Sequence, residues 1–429
     1  MNVLLIQSYL GGNETPVYPL GLACLKSELD GMNVRVFDPN LSEEGREQVY
    51  MRLAEILADF CPDVIGISLR NIDSTNKRNV VFYYDEFIQL VVFLKKHRAK
   101  TVIVVGGSGF SMFAETIMNS RPEIDFGIYL EGERTFPALL QSLNAPENVS
   151  SIYYRENGQV KFSGAGEKYS LDQLRDPDMT VVSLAEFTRF PESVGIETKR
   201  GCPFTCIYCP YGFLNGRSYR LKDPIRIVDF LEALAARNGI SSFTFTDSIF
   251  NVPVSHAEAI LTEMIRRNLR LSWSAWFSER ELDENFVRLA IQAGCRNFIF
   301  SPDAFSNNIL KKLGKSLSRK EIVKSLRMMS RTQTCDVSYN FFKNPPGQSI
   351  YRFISLILFC IIAKWKLGKR VHFEFNALRV EPHTALYDIA ISEGILQPED
   401  DVLHPVYYTQ KKTAYIETVF NLALKLAGK

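Results

Sequence analysis

Three cysteines, Cys202, Cys206 and Cys209, lie in the stretch Gly201-Cys-Pro-Phe-Thr-Cys-Ile-Tyr-Cys-Pro210. Three thiolates on one short loop can ligate three irons of a cubane cluster and leave the fourth iron without a protein ligand. An iron with an open position can bind and reduce a second molecule. Zinc is the competing reading, but a structural zinc site takes four ligands, usually as two spaced pairs. No second pair follows: the next cysteine is Cys295 and the next histidine is His256. A cluster of structural thiols with no metal or redox purpose is the remaining alternative, and an uncommon one in a reducing compartment. Cys24, Cys61, Cys295, Cys335 and Cys360 are scattered and read as small buried hydrophobes.

Such a loop needs a scaffold. The chain has 429 residues, 46% of them apolar, enough for two or three domains with large cores. Its formal net charge of +2 leaves no basic tail or stripe for nucleic acid. Strands are expected over residues 3–7, 34–37, 64–69, 101–105 and 125–129, with helices over 20–29, 44–60, up to about 97, 111–119 and 135–143. Five alternating units predict a doubly wound parallel sheet of order 2-1-3-4-5, with ligands outside the carboxyl ends of its strands. Residues 144–190 read as a linker holding one hairpin around Glu156-Asn-Gly158. A second alternating series follows, with strands over 195–198, 243–246, 271–275, 297–300, 336–342 and 372–380. By the barrel rule its chemistry belongs at the carboxyl ends of those strands, and the cysteine loop lies just past the first. A last helix covers 414–426.

The N-terminus lacks a basic region and a cleavage site, so a cytoplasmic location is expected. The most apolar run, around residues 353–363, is shorter than the roughly 20 residues that cross a bilayer. It reads as a buried barrel helix, with an interfacial membrane helix as the alternative.

The Cys-x3-Cys-x2-Cys spacing, with Tyr208 before the last cysteine, resembles the radical S-adenosylmethionine family. Tyr18-Pro-Leu-Gly-Leu-Ala23, Ile67-Ser-Leu-Arg70, Val105-Gly-Gly-Ser-Gly109 and Tyr129-Leu-Glu-Gly-Glu-Arg-Thr135 resemble, more narrowly, its cobalamin-binding members. The resemblance implies a Rossmann-like, flavodoxin-order cobalamin-binding domain over 1–143, a linker over 144–190, a partial (β/α)6 TIM-like radical S-adenosylmethionine barrel over 191–398, and a short segment over 399–429. It implies a [4Fe–4S] cluster on Cys202, Cys206 and Cys209, with S-adenosylmethionine on the open iron. For cobalamin it points to Gly106, Gly107, Gly109, Glu131 and Gly132, flanked by Glu133, although glycines after parallel strands also simply make tight turns. The domain has no Asp-x-His-x-x-Gly motif, and its one histidine is His97, so cobalt is expected without a protein imidazole. Arg70 is a candidate neighbour of the lower face, having no lone pair to offer the metal; a surface ion pair or a phosphate contact is its alternative.

The same resemblance places Tyr208 against adenine, Asp247 at the methionine ammonium, Ser274 near the ribose, and Asp303 and Arg379 in the family's acid and arginine positions. Structural ion pairs at a barrel rim are the alternative for Asp247, Asp303 and Arg379. His383 stands where the family motif has glycine, and His372 is unassigned. Trp273, Trp276 and Phe277 line a pocket or belong to the core. The implied activity is methylation of an unactivated carbon through a 5′-deoxyadenosyl radical and methylcobalamin. A small-molecule, natural-product or lipid-type substrate and a flavodoxin or ferredoxin as electron donor go with it. Cyclisation or ring rearrangement without methyl transfer, and a non-catalytic cobalamin or iron–sulfur protein, are the alternatives. Methylthiotransferases need three more cysteines in the first domain, where only Cys24 and Cys61 occur.

Overall fold

The computed structural model describes residues 1–10, 15–41, 45–187, 189–190 and 192–426, with backbone alone for 423–426. The chain forms two compact units, Met1–Ser74 with Val80–Gly195, and Thr75–Asn79 with Ile196–Lys429.

In the first unit, strands β1 (Asn2–Gln7), β2 (Asn33–Phe37), β3 (Val64–Ser68), β4 (Val102–Gly106), β5 (Phe126–Ile128), β6 (Ile152–Glu156) and β7 (Gln159–Phe162) form one sheet of order β2-β1-β3-β4-β5-β6-β7. The first five run parallel and the last two antiparallel. The expected 2-1-3-4-5 order is present. Residues 144–190, read from the sequence as a linker, extend it by the β6–β7 hairpin. Central parallel strands are covered on both faces and so are apolar throughout: Val3, Leu4, Leu5 and Ile6 are all fully buried. The crossover helices are α1 (Leu20–Ser27), α2 (Arg46–Phe60), α3 (Tyr83–His97), α4 (Ser108–Met112), α5 (Ala114–Ser120) and α6 (Thr135–Gln141). The single helix expected over 111–119 is two, because Phe113 leaves the helical region at φ −134° and turns its ring into the core. Glu44, the expected start of the second helix, lies outside the described residues. A short helix, α7 (Leu184–Phe187), precedes the second unit.

There β8 (Gly195–Ile196), β11 (Ser242–Phe245), β12 (Ser272–Phe277), β13 (Cys295–Asp303), β14 (Asp336–Phe342) and β15 (Val371–Asn376) form an open sheet in that order, with β11 to β15 all parallel. Two small antiparallel pairs flank it, β9 (Lys199–Arg200) with β10 (Arg220–Leu221), and β16 (Leu378–Arg379) with β17 (Tyr407–Tyr408). The expected strand 372–380 therefore breaks after Asn376. The helices are α8 (Tyr211–Asn215), α9 (Pro224–Asn238), α10 (Val254–Arg266), α11 (Glu284–Gln292), α12 (Asn307–Lys312), α13 (Arg319–Met329), α14 (Ile350–Leu367), α15 (Ala385–Ser392) and α16 (Ala414–Leu426). Their starts are written in the sequence. Asp223 caps α9 ahead of Pro224, Asp283 caps α11, and Ser318 with Glu321 forms a capping box on α13.

The two faces of this sheet differ in chemistry. On one, Phe243, Phe245, Trp273, Phe277, Phe298, Phe300, Tyr339 and Phe341 make a continuous ring-to-ring layer. Phe286 of α11 and Phe359 of α14 pack onto it. Side chains alternate along a strand, so the intervening residues share the other face. These are Thr244, Ser274 and Asn297 across three neighbouring strands, then Trp276, Ile299, Ser338 and His372, and Asn340 beside Glu374. That face is polar: Ser338 donates to Asn297, and Asn340 donates to Ser301. Trp273 and Phe277 are thus core, while Trp276 lies on the polar face. Among the described residues no helix is long and apolar enough to cross a membrane.

Candidate functional site

The cysteine loop leaves β9 at the carboxyl end of the second sheet and is tied down by its backbone. The Cys202 amide donates to the Gly216 carbonyl (2.9 Å), Ile207 to Leu313 (3.0 Å) and Cys209 to Cys206 (3.2 Å). The Leu386 amide donates to the Ile207 carbonyl (2.8 Å), and Arg217 Nη1 to that of Phe204 (2.6 Å). Cys202 is buried, and Cys206 and Cys209 are half-buried. Burial pushes the Cys209 thiol up to about 11, with Cys206 and Cys202 adding to the rise. Burial also raises Cys206, while the Lys315 ammonium pulls it the other way. The three sulfurs therefore lie within each other's fields and near one cation. Among the described residues no three Cys, His, Asp or Glu side chains converge as ligands of a single ion. A cubane asks for something else, since each sulfur binds a different iron.

Next to the loop is a chain of polar groups. Tyr208 Oη donates to Asp303 Oδ2, and its ring meets Phe342 edge-on at 4.9 Å. Asp303 is ion-paired with Lys315, whose Nζ also donates to the Ser301 carbonyl (2.7 Å). Asp303 takes a left-handed φ of 65° at a bulge of β13, a conformation asparagine and aspartate tolerate best among residues with a side chain. Two of the predicted residues, Tyr208 and Asp303, are therefore in contact, and Lys315 joins them. Lys315 carries no motif and follows a helix; only the fold brings it here.

Asp247 is fully buried and its oxygens are occupied. Oδ1 accepts from the amides of Thr198 (2.8 Å) and Lys199 (3.2 Å), Oδ2 accepts from Thr198 Oγ1, and Lys199 Nζ stands 3.4 Å away. These bonds fix the backbone leading into Cys202. Ser274 Oγ lies 2.8 Å from Thr244 Oγ1 on the polar face. Arg379 stands apart from the loop chain. Its guanidinium donates to Glu381 (2.6 Å) and to the carbonyls of Val402 (3.3 Å) and Leu403 (3.2 Å), closing the C-terminal segment onto β16. His383, which stands where the family motif has glycine, holds φ 61°, a left-handed conformation that glycine adopts most easily, and stacks on Phe213 at 4.0 Å.

Sequence reasoning missed Glu279. It sits two residues past β12, 3% exposed, and its Oε1 has no hydrogen-bond partner among the described residues. Burial raises its carboxyl to about 8, against the pull of its own amide and of Lys315. Asn251, also buried, holds the preceding residue on both sides: Ser278 N donates to Oδ1 (2.8 Å) and Nδ2 donates to the Ser278 carbonyl (2.9 Å). The strand-end rule would have found it had the strand been drawn to Phe277 instead of stopping at 275.

In the first unit, the strand order reverses between β1 and β3, where doubly wound sheets bind ligands. Ser8 Oγ and Asp38 Oδ2, just past β1 and β2, are buried and lack hydrogen-bond partners among the described residues. Burial raises Asp38, while bonds from Asn40 and the charge of Arg70 oppose the rise. Arg70 thus lies in the field of an acid at the strand ends. Gly107 has φ 100°, and a Cβ there would stand 2.7 Å from the Leu69 carbonyl. Gly109 is equally tight, its Cβ position lying 2.9 Å from Leu69 O, and its amide donates to Arg70 O (2.9 Å). These glycines let the loop after β4 lie on the loop after β3. A Cβ on Gly106 would lie 3.3 Å from Ile128, and one on Gly132 3.1 Å from Leu25. Glu131 pairs with Lys168 (3.1 Å), and Glu133 accepts from Tyr169 Oη (3.1 Å).

Residues 11–140 match the family model of the B12 binding domain, and residues 196–346 match that of the radical SAM superfamily. The chain belongs to the cobalamin-binding radical S-adenosylmethionine enzymes. Its cofactors are those of the two matched domains: cobalamin, a [4Fe–4S] cluster and S-adenosylmethionine. An uncharacterized methyltransferase of Pyrococcus horikoshii is 24% identical over 387 residues, covering 88% of this chain and 79% of that protein. The anaerobic magnesium-protoporphyrin IX monomethyl ester cyclase of Cereibacter sphaeroides is 21% identical over 65% of this chain, which spans only 46% of the cyclase. The hopanoid C-3 methylase of Methylococcus capsulatus is 24% identical over 59% of this chain and 47% of its own length. Among solved structures, the radical S-adenosylmethionine methyltransferase TsrM of Kitasatospora setae aligns with a TM-score of 0.79 at 20% identity, covering 96% of this chain and 81% of that one. The cobalamin-dependent enzyme OxsB aligns at 0.74 and 16% identity, covering 97% and 66%. Both likenesses establish the fold.

The residues present fit the cofactors. One loop offers three thiols beside a lysine, and the first unit has two orphaned buried oxygens at a switch point.

Proposed function

We propose that the protein is a C-methyltransferase acting on an unactivated carbon. The observation that carries it is the cysteine loop at the carboxyl end of a sheet with a polar face, in a chain that also has a B12-binding domain. When bound, the cluster supplies the electron that cleaves S-adenosylmethionine, and cobalamin carries the methyl group. Cys202, Cys206 and Cys209 hold the cluster. Asp247 positions their loop through Thr198 and Lys199. Tyr208, Asp303 and Lys315 present a fixed hydroxyl, carboxylate and ammonium to S-adenosylmethionine, and Ser274 offers a hydroxyl on the same polar face. Arg379 keeps the C-terminal segment on β16. Arg70, Gly106, Gly107, Gly109, Glu131 and Gly132 frame the cobalamin site. The substrate is a small molecule of natural-product or lipid type, and a flavodoxin or ferredoxin delivers the electrons.

Cyclisation without methyl transfer is the second reading, favoured by the similarity to the magnesium-protoporphyrin ester cyclases. Anaerobic turnover with a candidate substrate separates them. S-adenosylhomocysteine together with 5′-deoxyadenosine is the expected outcome. 5′-Deoxyadenosine alone supports the cyclase, and neither product, with all three cofactors loaded, refutes both.

A further inference from the structure

Helix α14 has one face it does not bury at home. Leu356, Phe359, Ala363 and Leu367 are buried, with Phe359 packed on Phe305, Tyr339 and Phe341. The opposite side shows Tyr351 (82% exposed), Ile354, Leu358, Ile361, Ile362 and Trp365 (81%) to solvent. At about 100° per residue these six fall within a single arc of roughly 100°, a stripe about 20 Å long. It holds no charged residue. Together the six present several hundred Å², at or above the largest patch, about 300–600 Å², that a monomer usually shows. The neighbouring helix α16, joined to α14 through Phe353 and Phe420, adds exposed Tyr415, Val419 and Leu422 at its own i, i+4, i+7 positions.

Charge decides what such a face fits. No Asp or Glu occurs in Ile350–Leu367. Lys364 and Lys366 flank the stripe on its two sides beside Trp365, and Lys369 follows; all three are exposed. Among the described residues no acid is paired with any of them. A second copy of this helix would bring no counter-charge. An anionic bilayer surface would: apolar side chains enter the acyl boundary, the tryptophan sits at headgroup level, and lysines reach out to phosphates. The buried side is fixed to the sheet, so the helix lies in the interface plane and does not insert end-on.

We propose that α14 docks this protein onto anionic lipid bilayers. The proposal does not depend on methyl transfer. Vesicles of phosphatidylcholine, alone or mixed with phosphatidylglycerol, are floated with the cofactor-loaded protein. Expected is co-flotation with the mixed vesicles, weakened by salt, because each lysine near an anionic surface strengthens binding roughly five-fold. The surface double variant Ile361→Ser/Trp365→Ser is expected to lose binding at least about ten-fold, and Lys364→Glu/Lys366→Glu to lose the preference for phosphatidylglycerol. Unchanged cofactor absorbance and circular dichroism verify their folding. Absence of flotation, or flotation untouched by both variants, overturns the proposal. A dimer in sedimentation velocity that the same substitutions dissociate also overturns it, since a second copy then covers the face.

Discussion

Glu279 offers the sharpest test at the level of single residues. Its folded carboxyl titrates near 8 and its unfolded one near 4.5. Between those values the folded state keeps a proton that the unfolded state has released. The contribution of Glu279 to stability is therefore present below the lower value and lost as pH rises towards the upper one, by up to about 1.4 kcal/mol per pH unit. Thermal unfolding should show Glu279→Gln with a flatter fall in Tm between pH 6 and pH 8, the difference in slope corresponding to at most about one proton, and with the higher Tm at the alkaline end. Parallel curves for variant and parent would rule out a neutral buried acid. Asp303 is a different kind of buried acid, one with a cation beside it. Asp303→Asn leaves Lys315 without its partner and should destabilise by about 3 kcal/mol in denaturant melts. A loss within about 0.5 kcal/mol would mean water already satisfies the lysine.

At the scale of elements, the aromatic layer and the polar face of the second sheet predict opposite responses. Phe359→Ala opens a cavity between α14 and β14 and should cost about 3–5 kcal/mol. Asn340→Ala, on the other face, should change stability by less than about 1 kcal/mol. Equal losses would contradict the division of the sheet into a structural and a guest-facing side. At Gly201 a Cβ would stand 2.1 Å from the Ser218 carbonyl, at φ 101°, so Gly201→Ala should displace the cysteine loop and lower cluster content after reconstitution, read by iron analysis. Most of this architecture was legible in the residues. Apolar runs such as Val3–Ile6 and capping pairs such as Ser318–Glu321 act over a few positions, and local pattern reports them faithfully. The cysteine loop was legible for the same reason. What pattern could not report were partners distant in the chain. Asp247 answering to Thr198, Lys315 reaching Asp303, and Arg379 closing on Leu403 are products of the fold. The extension of β12 to Phe277 was hidden because Trp276 and Phe277 suit a strand and a buried turn equally well.

For the molecule as a whole, the near-balanced charge has a practical result. With a formal charge of +2 and a pI near 8.0, mutual repulsion between copies fades as pH approaches 8. Light scattering should show solubility lowest near pH 8, with a minimum that persists in Ile361→Ser/Trp365→Ser; a minimum those substitutions abolish would mean that a second copy covers the stripe. The first unit's sheet, whose β1, β3 and β4 are apolar along their middle residues, and the second unit's, aromatic on one side and hydrophilic on the other, are built for different tenants. Because ring stacking on one side of β11 to β15 carries the strength of the second unit, the hydroxyls, amides and imidazole on the reverse can be exchanged with little penalty. Relatives sharing this frame can diverge in what they host by repainting one wall of a room whose beams run behind the other.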